Sequence, residues 1–170
     1  FKIKPKKKVN LKPWKKITNT VIKNKKEVKI AIIGKYVNLK DAYKSLDEAL
    51  IHGGIKNNVK VNLIRIESDK LKSTEVRKKI RDASGILIPG GFGKRGTEGK
   101  ISAINYARKN KVPFLGICFG MQMAVIEFAR NVLKLKKAGS SELDKTCFPV
   151  IGLIHEWNKN GKIIKGTNKD

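Results

Sequence analysis

The sequence predicts an α/β fold: a doubly wound, mostly parallel sheet forming a three-layer sandwich. Three observations predict it. Short apolar runs of strand length alternate with stretches of helical periodicity, the order expected of a sheet covered on both faces by helices. The runs at 28–33 and 85–88 are apolar nearly throughout, as strands buried on both faces are. Two strand ends run into glycine-rich turns, and sheets of this type build their sites beyond the carboxyl ends of the strands.

Taken in order, residues 28–33 read as a buried strand. Residues 41–52 read as a helix, with Ala42, Leu46, Ala49 and Leu50 on one stripe and Gly53-Gly54 ending it. Residues 59–66 form the next strand, and 73–81 a charged, exposed helix. A short strand at 85–88 leads into a glycine-rich loop that reaches Gly99. Residues 101–109 read as a helix and 114–117 as a strand. The helix at 120–133 turns Met123, Ile126 and Ala129 inward, and 150–154 is the last strand. The flanks differ in kind. Residues 1–27 are Lys-rich and broken by Pro5 and Pro13. They read as a basic linker from a preceding domain, with Trp14 as an anchor onto a neighbour. Residues 158–170 are rich in Lys, Asn and Gly, and Asn160-Gly161 suits a hairpin turn between Trp157 and Ile164. The folded unit is therefore expected over 28–157. No internal repeat is visible.

A length of 170 residues suits one domain with a real core. No apolar run reaches the ~18 residues that a membrane helix needs. The two cysteines, Cys118 and Cys147, lie in unlike surroundings, which speaks against a disulfide framework and for a reducing, cytoplasmic setting. The net charge of +25 raises nucleic acid as a partner. Yet only six of the 39 basic residues are arginine, whose planar fork is the usual reader of bases and phosphates. The lysines are spread along the chain beside Asn and Ile, so a specific nucleic-acid site is not expected. Weak, salt-sensitive polyanion binding is.

The strongest chemical signal is Gly116-Ile117-Cys118-Phe119-Gly120, between a buried strand and a helix. It has the form of a nucleophile elbow with cysteine in place of serine. On so sharp a turn, side chains two residues either side of the nucleophile would collide with it, which accounts for Gly116 and Gly120. The helix that follows puts the sulfur at the positive end of its dipole. The competing reading is a buried cysteine packed in a strand–helix corner. A second signal stands at the end of the preceding strand, Pro89-Gly90-Gly91-Phe92-Gly93. Acyl transfer needs N–H donors aimed at the developing oxyanion, one after the nucleophile and one from a neighbouring loop. Gly90 and Gly91 let that loop pass close by. A flexible surface loop or a phosphate cradle are the alternatives, and the lysine and hydroxyl of a P-loop are missing.

Together with Leu115, Met121 and Gln122, these two motifs resemble those of the class I glutamine amidotransferases. Further stretches resemble the glutaminase domain of the CTP synthase family. They are Gly34-Lys35-Tyr36, Asp41-Ala42-Tyr43-Lys44-Ser45, Glu48 to Gly54, Gly93-Lys94-Arg95-Gly96-Thr97-Glu98-Gly99, Ser141-Glu142 and Glu156-Trp157. The resemblance covers about residues 28–157 and implies a flavodoxin-like sandwich of the amidotransferase type. It implies that glutamine is hydrolysed through a thioester on Cys118. Gly91 and the Phe119 amide would form the oxyanion hole, and Gly120, Met121, Gln122 and Glu142 would line the glutamine site, Glu142 pairing with the amino group. Ammonia would then pass to a synthase domain of the same polypeptide, where ATP, UTP and Mg2+ bind and UTP is aminated to CTP. No cofactor or metal is expected on these residues, and the family implies a homotetramer built through the synthase domain.

The resemblance also implies a catalytic His and Glu in a His-x-Glu arrangement late in the domain. The sequence has only His52, in a helix, and His155, whose spacing to Glu156 is wrong. The base is therefore expected outside this chain, 28–157 being the front of an incomplete domain, and the 170 residues alone are expected to be inactive or nearly so. Cys147 reads as a structural thiol. Two other readings compete: a different cysteine hydrolase of the same architecture, such as a gamma-glutamyl hydrolase, and a non-catalytic basic binding domain.

Overall fold

Four strands pair in parallel in the order β2-β1-β3-β4: β1 (Glu27–Gly34), β2 (Lys60–Glu67), β3 (Gly85–Ile88) and β4 (Phe114–Gly116). They are seen in a computed structural model, which describes residues 9–23, 26–39, 41–152, 154 and 156–165. β1 pairs with β2 over its whole length, and β3 joins β1 to β4 through registers such as Ala31 to Ile86 and Ile88 to Gly116. The central strands are apolar on both faces, and Ala31, Ile32, Ile33 and Ile88 are fully buried. Burying each isoleucine stabilises the fold by about 1.5–3 kcal/mol.

Right-handed crossovers put the helices on opposite faces. Helix α2 (Lys44–Lys56) follows β1 and covers β2, tied to it by an Arg65–Asp47 ion pair. The other face carries α3 (Val76–Ile80), α4 (Thr97–Lys109) and α5 (Phe119–Asn131). Ala31, Ile33, Ile86 and Ile88 pack there against Val76, Ile80, Ile101, Ile104, Met123 and Ile126. The expected inward set of Met123, Ile126 and Ala129 is at most 3% exposed. The α2 face is covered less completely. Leu115 of β4 is 55% exposed, and α2 packs mainly on β2.

Several expected boundaries move. Gly53-Gly54 does not end α2. Gly54 lies inside the helix because a side chain there would strike the Val61 side chain and the Val59 carbonyl. The helix ends instead at Asn57, followed by Asn58 at φ 54°, a conformation that asparagine tolerates better than most residues. Of the stripe expected on α2, Leu46 and Leu50 are half-buried, while Ala42 and Ala49 are exposed. The helix expected over 73–81 shrinks to one turn, anchored by buried Val76 and Ile80. Gly99 belongs to α4, where a side chain would run into the Ser68 carbonyl. Ser68 itself lies in a single 3-10 turn, Ser68–Lys70.

Beyond α5, strand β5 (Ala138–Ser140), not foreseen from sequence, pairs in parallel with β6 (Phe148–Ile151) in a small separate sheet. The last strand expected at 150–154 therefore starts earlier and does not extend the main sheet. β7 (Glu156–Lys159) and β8 (Lys162–Lys165) form the expected hairpin, pairing Trp157 with Ile164 around Asn160 and Gly161, both at positive φ. The expected linker includes α1 (Lys12–Lys23), an amphipathic helix with Leu11, Trp14, Ile17 and Val21 exposed along one stripe. Trp14 is 66% exposed.

Candidate active site

Pairing of β3 with β4 brings the two glycine-rich turns together. Ile88 stands opposite Gly116 in the ladder, so the loops after both strands leave the sheet side by side. A side-chain carbon built on Gly90 would lie 3.7 Å from Cβ of Cys118 and 3.9 Å from the Ile117 carbonyl. These are ordinary van der Waals distances, so the two loops lie in contact range of one another. At Gly91 the same construction meets nothing within 4 Å, so that face of the loop opens onto free space.

Cys118 has φ 49° and ψ −105°, a sparsely populated conformation for an L-residue. Such strain costs of the order of 1–3 kcal/mol and persists only where surrounding structure enforces it. The enforcement is visible in three backbone bonds. Ile117 N–H donates to the Ile88 carbonyl at 3.0 Å, Gly120 N–H to Ile117 at 2.9 Å, and Gln122 N–H to Cys118 at 3.1 Å. The glycines of the elbow are required by close packing. A side chain on Gly116 would lie 2.6 Å from the carbonyl carbon of Gly120 and the amide nitrogen of Met121. One on Gly120 would enter the Ile88 carbonyl. The nearest clashes are with the helix start and the neighbouring strand. The Cys118 side chain is exposed at the N-terminus of α5.

The remaining expected site residues lie in the first turn of α5 and in the turn after β5. Phe119 is buried, Met121 is 56% exposed and Gln122 is half-buried, all in the first turn of α5. Glu142 is exposed in the turn after β5, on the small sheet that packs against α5, and its N–H donates to Ser140 Oγ at 3.3 Å. Beside the elbow runs an open groove of about 380 Å³ lined by Ala42, Tyr43, Leu46, Pro89, Gly90 and Ile117. His52 lies on α2 and is exposed, and His155 lies outside the described residues. Cys147 sits under β5, where a side chain on Gly139 would come within 2.9 Å of its Sγ.

Sequence reasoning missed a cationic cluster behind the elbow. Lys35 follows β1 and Lys100 lies on α4; they are 8% and 1% exposed. Both ammonium groups face the Phe119 ring, at 5.9 and 4.8 Å from its centroid. Burial, with Lys35 and Arg95 nearby, lowers the Lys100 ammonium to about 8 despite the attraction of Asp69. Burial lowers Lys35 as well, again with Arg95 acting in the same sense. Asp69 is engaged by Arg95 at 3.0 Å. The only sequence signal was a lysine directly after an apolar strand, which periodicity alone reads as solvated.

Comparison with known proteins fits this geometry. A family model, glutamine amidotransferase class-I, matches residues 38–161. The chain belongs to the class-I glutamine amidotransferase family. Among curated relatives of this amidotransferase chain, a CTP synthase of Pelagibacter ubique (strain HTCC1062) is 71% identical over 170 residues, 100% of the chain and 32% of that protein. A CTP synthase of Rhizobium johnstonii is 53% identical over 98% of the chain and 31% of its own length. The chain thus spans about a third of the length of these relatives. A solved Trypanosoma brucei CTPS glutaminase domain with bound acivicin superposes with a TM-score of 0.70 at 37% identity, covering 75% of this chain and 50% of that one. The expected class of fold, an amidotransferase-type parallel sheet between helices, is thereby established.

Proposed function

We propose that this chain is the glutamine-hydrolysing part of a CTP synthase, with Cys118 as nucleophile. The observation that carries the reading is the convergence of the strained Cys118 elbow and the Gly90-Gly91 turn, in a chain 71% identical to a CTP synthase. Sγ of Cys118 attacks the side-chain amide carbon of glutamine. The carbonyl electrons move to oxygen, and the N–H groups of Gly91 and Phe119 receive that oxyanion. Gly120 admits the tight turn, while Met121, Gln122 and Glu142 surround the amino-acid end of the substrate. As the tetrahedral intermediate collapses, the C–N bond breaks, the nitrogen takes a proton and ammonia leaves. Water then hydrolyses the thioester to glutamate and restores the thiol.

Proton transfer at the sulfur and the leaving nitrogen needs a base. His52 is on α2; in this reading the base is the His of a His-x-Glu arrangement in a further part of the longer polypeptide, as the family resemblance implies. In this reading ATP, UTP and Mg2+ bind the synthase domain of that polypeptide, which receives the ammonia and aminates UTP to CTP, and the intact enzyme is a cytoplasmic homotetramer. Among the described residues no helix is long and apolar enough to cross a membrane.

The test is mass spectrometry after exposure to a diazo-ketone glutamine analogue. The expected result is one adduct on Cys118, prevented by excess glutamine and absent in Cys118→Ala. Equal labelling of Cys118 and Cys147, indifferent to glutamine, would overturn the reading.

A further inference from the structure

Lys35 joins the two segments that carry the amide donors. It stands just beyond β1, beside β3, where the connections leaving these strands turn to opposite faces and open a crevice. Its Nζ donates to the Phe92 carbonyl at 2.5 Å and to the Gly93 carbonyl at 3.1 Å. The same ammonium faces the Phe119 ring at 5.9 Å. Phe92 and Gly93 are the two residues after Gly91, and Phe119 directly follows Cys118, so one cation reaches both segments that carry the candidate oxyanion donors.

The loop needs such a tie. Gly90 and Gly91 have no side chains to fix their peptides, and Gly91 faces open space. Peptide groups are planar, so a carbonyl drawn inward turns the N–H across the same bond outward. Holding the Phe92 and Gly93 carbonyls fixes the peptide planes that carry the Gly93 and Lys94 N–H groups, and so anchors the chain where it leaves Gly91. The bonds are charge-assisted, and Lys35 itself is only 8% exposed. Lys100 reaches the same ring from α4 and cannot substitute for a link from β1 to the loop.

We propose that Lys35 is a positioning residue of the glutaminase site, its ammonium setting the separation and direction of the Gly91 and Phe119 amides. The proposal rests on the glutaminase reading above. Lys35 itself does not touch the substrate.

The experiment compares Lys35→Met and Lys35→Arg with the unaltered chain, using two reagents on Cys118. With iodoacetamide an S–C bond forms and iodide leaves, and no carbonyl needs the oxyanion hole. With the diazo-ketone glutamine analogue the ketone oxygen occupies the hole. The diazo carbon takes the thiol proton, sulfur bonds to that carbon and N2 leaves. Lys35→Met is expected to slow the diazo-ketone reaction at least tenfold while iodoacetamide stays within twofold, and Lys35→Arg to recover part of the loss. A diazo-ketone rate within twofold of the unaltered chain overturns the proposal. An equal loss with both reagents also overturns it, since that marks general loosening.

Hydrogen exchange gives a readout independent of the glutaminase reading. In Lys35→Met the amides of residues 91–93 and 119 are expected to exchange at least tenfold faster, with β3 unchanged. Unchanged exchange overturns the proposal. If the unaltered chain reacts with the diazo-ketone no faster at Cys118 than at Cys147, the glutaminase reading fails and the exchange result decides whether Lys35 sets the loop.

Discussion

The Lys100 ammonium stands 4.8 Å from the centre of the Phe119 ring, on a residue only 1% exposed. A ring face attracts a cation, which offsets part of the cost of burying a charge beside two other cations. The offset is incomplete, and burial pushes this lysine down from 10.5 to about 8.

That depression gives the first prediction. Between pH 8 and 10.5 the folded chain holds fewer protons on Lys100 than the unfolded chain does, so this group makes stability rise with pH across that window. Below pH 8 the penalty is present in full. Lys100→Met removes it, so the stability difference between variant and unaltered chain is expected to change by roughly 3 kcal/mol across the window, from the 1.36 kcal/mol that each pKa unit represents. Chemical denaturation of both proteins at pH 7 and pH 10.5 checks this. A difference independent of pH would show that Lys100 is not the titrating group.

Gly91 and Gly120 should respond oppositely to the same methyl group. Gly91→Ala adds a carbon to open space and should leave Tm almost unchanged, within about 0.5 kcal/mol in stability. The methyl projects where substrate is proposed to sit, so capture of the diazo-ketone on Cys118 should fall more than tenfold. Gly120→Ala drives a carbon into the Ile88 carbonyl, and the elbow must shift to admit it. A loss of about 1–3 kcal/mol is expected from such overpacking. Thermal unfolding of the pair, measured together, separates the two outcomes.

Arg108 and Glu127 provide a test of what fixes α5. The Glu127 carboxylate is 1% exposed and accepts from Arg108 Nη2 at 2.7 Å, Arg108 Nε at 2.9 Å, Asn105 at 2.7 Å and Asn131 at 3.1 Å. Burial pushes this carboxyl up, but the donors together hold it below 4.5. Arg108→Ala leaves the charge buried with fewer partners, a change expected to cost about 3 kcal/mol near pH 7. With the folded value depressed, the stabilisation is present above 4.5 and is lost as the pH falls through the folded value. The gap between Arg108→Ala and the unaltered chain should therefore narrow in acid. A gap constant from pH 7 to pH 3 would argue for lost packing in place of lost charge pairing.

The Arg130–Glu98 contact offers a contrasting surface case. It spans 3.0 Å, but the Glu98 side chain is 74% exposed. Glu98→Ala is expected to change stability by less than about 1 kcal/mol, since solvent screens exposed pairs. Urea unfolding beside Arg108→Ala would rank the two. Equal losses would mean that burial does not govern the ion pairs of this helix layer.

Much of the site was legible because its signals are local. Gly116, Cys118 and Gly120 follow from the geometry of one turn, and Asn160-Gly161 from the twist of one hairpin. The buried strand at 85–88 and the inward face of Met123, Ile126 and Ala129 follow from periodicity. The stop expected at Gly53-Gly54 failed because helix-breaking tendency was outweighed by a packing demand, the close approach of Gly54 to Val61. The short β5 carries no pattern of its own and exists through its pairing with β6.

The sequence by itself determined that a cysteine would stand on a strained turn between strand and helix, and that a second glycine-rich turn would end the preceding strand. Only the tertiary structure decided that these turns meet, because their closeness depends on β3 and β4 being neighbours in the ladder. It alone decided that Lys35 and Lys100 are buried against Phe119. A lysine has no periodicity that marks it for burial, and the carbonyls that hold Lys35 lie 57 and 58 residues away along the chain. Contacts over such separations are fixed by how sheet and helices close around one another, which no local stretch of sequence encodes.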